Sequence, residues 1–134
     1  MSKFLFHPIL IHFPIAFYLL ELVLLVFWRV KKDPAYRRFA LFAFQFGFLM
    51  MIFTLASGLI DAGGLESIRK YEGVRRHFLA AATVAVFYTV RTFIWKRVGE
   101  GAKPEAWIHL AGAATGNALV VLTGYFGGLL VYGS

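Results

Sequence analysis

Residues 8–28 read PILIHFPIAFYLLELVLLVFW, a run from Pro8 to Trp28 with one acid, Glu21, one histidine, His12, and no lysine or arginine. Wound as a helix rising 1.5 Å per residue, a run of ~20 residues covers the roughly 30 Å hydrocarbon core of a bilayer. Its length, the acid at its centre and the absence of a basic lead or a small-residue cleavage site argue for a retained span rather than a cleaved signal peptide. Working outward, three more apolar runs appear, Phe39 to Ile60, His77 to Trp95 and Ala106 to Tyr132. Pro34 lies in the first connection and Pro104 just before the last run, positions where a missing N–H costs little. Short connections fold four such runs into an all-α membrane protein, a four-helix transmembrane up-down bundle forming one domain over residues 1–134.

Composition closes off the other classes. Of 134 residues, 60% are hydrophobic and 16% charged, where a soluble domain is about a quarter charged. A soluble domain this small leaves too much of its surface in water to hide that apolar content. The sequence contains no cysteine, so thiol catalysis, iron–sulfur ligation, zinc fingers and covalent c-type haem attachment are excluded.

The net charge of +7 sits in the gaps between the runs. Arg29, Lys31, Lys32, Arg37, Arg38, Lys96, Arg97 and Lys103 follow the first and third runs; Lys3, Arg69, Lys70, Arg75 and Arg76, interleaved with Asp61, Glu66 and Glu72, fall on the other side. The asymmetry predicts a cytoplasmic Arg29–Arg38 loop and both termini outside. Topology and lipid headgroups account for these charges, and a nucleic-acid partner is not expected. Gly112 with Gly116 and Gly124 with Gly128 form two small-xxx-small pairs, suited to close packing inside the bundle or to a homo-oligomer seam.

Ionisable groups within a bilayer are costly, so each is a functional candidate. They sort by depth into two levels. His7, His12, Asp61 and His77 gather at the outer level, and Glu21, Gln45, Arg91 and His109 nearer the inner half, one from each helix. The first and third spans run parallel, so matched histidines on them can grip a b-type haem from both sides. His12 and His77 are the expected axial ligands, with His7 the substitute should the Pro14 kink turn His12 away. Arg75 and Arg76 are placed to meet haem propionates or to anchor headgroups. The same level also offers three nitrogens and a carboxylate, from His7, His12, His77 and Asp61, to zinc or copper. His7 and His12 are about 140° apart on a regular helix, so chelating one small ion would need a distorted turn. At the inner level the expectation is a Glu21–Arg91 salt bridge; the alternative is a group that protonates a quinone or anchors a propionate. Fourteen positions nearly complete four helical turns, which puts Arg91 on the face of His77 and Glu21 on the face of His7.

The motif His-Pro-x-x-x-His-Phe-Pro-Ile-Ala at residues 7–16 resembles the opening of the bacterial membrane family called domain of unknown function 2231. The resemblance continues through Glu21, Gly-Leu-Ile-Asp at 58–61, His77 and Thr-Gly-Tyr-Phe-Gly-Gly-Leu-Leu-Val-Tyr-Gly at 123–133. Relatives fused to Rieske or cytochrome c modules imply a redox setting, though no agreed reaction. The sequence thus points to a membrane-embedded haem b protein passing single electrons to or from a redox partner, more an electron carrier or subunit than a stand-alone enzyme. A zinc- or copper-binding membrane protein and a structural subunit without cofactor stand as alternatives.

Overall fold

A computed structural model describes residues 7–98 and 107–133; Lys3, Lys103, Pro104, Ala106 and Ser134, used above, lie outside them. The first span is helix α1 (His7–Leu10) continued after one turn residue by α2 (His12–Lys31). The break has a local cause. Pro14 has no N–H for the carbonyl of Leu10 and its ring crowds that oxygen. Thr54 Oγ1 of the next span lies between two carbonyls, 2.8 Å from Met50 O on its own helix and 3.3 Å from the freed Leu10 O, and its one proton is shared between them. At the other end Lys32 turns left-handed, φ 58°, and its N–H closes on Trp28 O at 2.8 Å.

Helix α3 (Pro34–Asp61) begins with Pro34 in its first turn, where Asp33 accepts from the N–H of Ala35 at 2.9 Å. Gly63 and Gly64, at φ 89° and 91°, reverse the chain in a conformation other residues resist. A short helix α4 (Leu65–Lys70) then leads into α5 (Glu72–Val98), and α6 (Trp107–Tyr132) completes the bundle. The first three spans run a few residues past the expected bounds, and the fourth, Trp107–Tyr132, lies within them. All four spans are long and apolar enough to cross a membrane, and the outward faces are apolar, with Phe39, Phe42, Val86, Phe93 and Val121 exposed. The chain is an integral membrane protein.

α2 packs on α3 and α6, and α5 on α6 and α3, so α2 and α5 face each other across the diagonal. Their inward stripes are Pro14, Tyr18, Glu21, Leu25 and Trp28 on α2 and Val84, Tyr88, Arg91 and Trp95 on α5. The alternating steps of four and three keep one face inward. In lipid, helix association rests on close packing and interhelical hydrogen bonds, because lipid tails are as apolar as leucine. Glycines make that packing close. A Cβ on Gly47 would lie 2.7 Å from the Tyr18 ring, one on Gly112 would lie 2.7 Å from Nε of Arg91, and one on Gly116 would overlap the Tyr88 hydroxyl. The pair Gly112 and Gly116 therefore receives two α5 side chains. Gly124 and Gly128, with nothing within 4 Å of where a Cβ would stand, border open space.

The two hairpins repeat one another. Residues seventy apart meet across the diagonal: His7 with His77, ring centroids 6.0 Å apart; Tyr18 stacked on Tyr88 at 3.7 Å; and Glu21 paired with Arg91 at 2.8 Å. On the flanking helices the shift is sixty-nine: Gly47 and Gly116 receive the tyrosines, Gly58 and Gly127 the histidines, and Thr54 and Thr123 offer carbonyls to them. These are the correspondences that a half-turn about the bundle axis would produce.

Candidate functional site

At the end where α1 and α5 begin and α3 and α6 finish lies a cavity of about 750 Å³, bordered by His7, Gly58, Asp61, Ile68, His77 and Gly127 among others. His7 and His77 meet here with their ring planes 78° apart. Each ring is tied by Nδ1 to a backbone carbonyl, His7 to Thr54 O at 2.9 Å and His77 to Thr123 O at 3.1 Å. A carbonyl only accepts, so each Nδ1 carries the proton and each Nε2 keeps its lone pair. Ser57 Oγ supports the first bond, donating to Thr54 O at 2.8 Å with His7 Nδ1 3.4 Å away. Thr54, Ser57, Gly58 and Asp61 form one face of α3, and that face cradles His7.

The histidine that stands beside His77 is His7, not His12. His12 is exposed at the cavity's mouth, and its Nδ1 faces Ile9 O on its own turn at 3.4 Å. Five positions apart, the two histidines fall on different faces of the first span. Asp61 Oδ2 accepts from the backbone N–H of His7 at 2.9 Å, a carboxylate at a helix start. Among the described residues no group of three or more histidine, aspartate or glutamate side chains could hold a metal ion. The four-ligand set of His7, His12, Asp61 and His77 is therefore not assembled. Arg75 and Arg76 are exposed and do not border the cavity; Arg76 pairs with Glu72 one turn back.

The inner level is a closed ion pair. Arg91 donates from Nη1 to Glu21 Oε1 and from Nη2 to Oε2, both at 2.8 Å, and both side chains are almost fully buried. Trp95 Nε1 donates to Glu21 Oε2 at 3.3 Å, and the guanidinium lies 4.9 Å from the Phe44 ring centre. His109 joins through its carbonyl, which accepts from Arg91 at 3.4 Å, and by stacking on Trp95 at 3.8 Å. The salt bridge is thus formed. Gln45 is not part of this level; it is exposed, because Phe44 takes the inward position beside it. Beyond it, cations meet aromatic rings, with Arg29 3.6 Å from the Trp107 ring centre and Arg37 5.1 Å from that of Trp95.

Residues 4–134 match the family described as a predicted membrane protein, DUF2231. The chain belongs to that family. Neither a curated protein nor a solved structure matches it. Two stretches that carry the DUF2231 resemblance, residues 58–61 and 123–133, contain Gly58, Asp61, Thr123 and Gly127, all now placed at the histidine pair. Thr54 and Ser57 carried no such signal, since threonine and serine are ordinary within membrane helices, where they bond to their own backbone.

Proposed function

We propose that this DUF2231 protein holds a b-type haem between His7 and His77 and acts as a membrane electron carrier. The histidine pair carries the reading. Two histidines from diagonal spans meet there with ring centres 6.0 Å apart, each with Nδ1 held by a carbonyl and Nε2 left as a lone-pair donor. A protein-only site for zinc needs three or four donors, whereas a porphyrin supplies four nitrogens of its own and asks the protein for two. The doubled hairpin supplies two equivalent donors, and the Thr54 and Thr123 carbonyls fix their tautomer as the outer partners of metal-bound histidines do. A quinone suits these rings less well, because its oxygens need donors and each Nε2 offers a lone pair. Haem in this place would take up and release one electron at its iron, and the chain would fix its orientation and surroundings. The basic end faces the cytoplasm of a bacterial inner membrane, which puts the cavity outside, where a redox protein would dock.

The test is an absorption spectrum of detergent-purified protein, oxidised and reduced, with iron and pyridine haemochrome measured against protein. The expected result is haem and iron at parity with the chain, lost in His7→Ala and in His77→Ala and kept in His12→Ala and His109→Ala. A colourless protein, or one carrying copper or zinc without haem, would overturn the proposal.

A further inference from the structure

Glu21 and Arg91 stand fourteen positions after His7 and His77, Arg91 on the same continuous helix as His77 and Glu21 on the helix that follows His7 across the break at Ile11. Both pairs bridge the diagonal, where α2 and α5 have few backbone contacts and each leans mainly on α3 or α6. Apolar packing alone permits α2 to slide or turn against α5, since lipid-soluble side chains gain little from one register over another. The Glu21–Arg91 fork removes that freedom. Two parallel bonds of 2.8 Å fix both the height and the rotation of the guanidinium relative to the carboxylate. Trp95 holds the carboxylate from a second side, and the bare Cα of Gly112 leaves the space that Arg91 occupies. It is also where the repeat is broken, with opposite charges at corresponding positions while His7 and His77, and Tyr18 and Tyr88, are identical pairs.

We infer that the Glu21–Arg91 pair is a register lock, positioning α2 against α5 so that His7 and His77 face each other across the cavity some four turns away. Its consequence for haem rests on the function proposed above; the geometric statement does not. A buried ion pair is a poor source of stability, since well-packed apolar residues replace it at little cost, but it can select one arrangement among several. The role is therefore separable from stability.

The cysteine-free sequence gives a clean background for the test. Ile11 and Ala81 both border the cavity, one turn beyond each histidine. With Ile11→Cys and Ala81→Cys, a short bis-thiosulfonate reagent should join the first span, at the junction of α1 and α2, to α5 in the otherwise unaltered full chain. In the double variant Glu21→Leu with Arg91→Met the cross-link should be lost, while helicity and melting in detergent are kept. Arg91→Lys, which keeps the charge but not the fork, covers the case in which the apolar double fails to insert, and it too should lose cross-linking. Retention of the cross-link in a folded variant of either kind would overturn the lock. In proteins without added cysteines, the same variants should convert a low-spin haem spectrum to high-spin or lose it. A wild type without haem would end the haem proposal and leave the cross-linking result to decide the lock by itself.

Discussion

Gly58→Ala tests whether the histidine cradle is as tight as the geometry makes it. A Cβ at residue 58 would lie 2.9 Å from Nδ1 and 3.0 Å from Cε1 of His7, where unstrained contacts between such atoms begin at ~3.5 Å. The ring must retreat by roughly 0.5–0.6 Å from α3, because the added Cβ is fixed to the helix backbone. That movement stretches the 2.9 Å bond to Thr54 O beyond the ~3.2 Å at which such bonds weaken. Overpacking costs ~1–3 kcal/mol and the weakened bond ~1 kcal/mol, against ~1 kcal/mol returned by alanine's helix preference. The net expectation is a loss of ~1–3 kcal/mol, with cofactor affinity falling by roughly 10–100-fold as for other partners of metal-bound histidines. Gly128→Ala is the comparison. It lies in the same kind of helix with nothing within 4 Å, so it should leave stability unchanged or raise it by up to ~1 kcal/mol. Thermal unfolding followed by helical circular dichroism in detergent, together with bound haem per chain, reads both quantities. Equal stability losses in the two variants, or a Gly58→Ala protein indistinguishable from wild type, would refute the reasoning.

Other expectations follow from neighbouring contacts. Thr54→Val should destabilise the protein by ~1–2 kcal/mol, since it strands the Leu10 carbonyl that Pro14 leaves free; Thr123→Val should keep His77 in place, because that bond uses the backbone oxygen, and denaturant titration with haem occupancy separates the two. Asp61→Asn should retain bound cofactor, as an amide oxygen still accepts from the N–H of His7; sharp loss of the cofactor would return Asp61 to the role of metal ligand. Reporter fusions at Lys32 and at Gly64 should read cytoplasmic and external respectively, following the basic loops, and the reverse pattern would invert the orientation.

Sequence alone determined that this chain lives in a bilayer as four helices, because apolar runs of spanning length leave no soluble alternative. It also raised the expectation of the Glu21–Arg91 ion pair, which the packed helices bear out. The arithmetic of fourteen residues from His7 to Glu21 and from His77 to Arg91 already pointed to His7, yet His12 looked better placed by depth. Only the tertiary structure shows that His7 stands beside His77 while His12 is exposed. That placement depends on a carbonyl of α3 receiving the His7 ring and one of α6 receiving the His77 ring, and neither is a property of one segment. The same is true of the doubled hairpin. Its two halves share few residue identities, so the repeat is carried by contacts at matched depth, by threonine carbonyls and glycine gaps on partner helices, and becomes visible only when those helices are packed together.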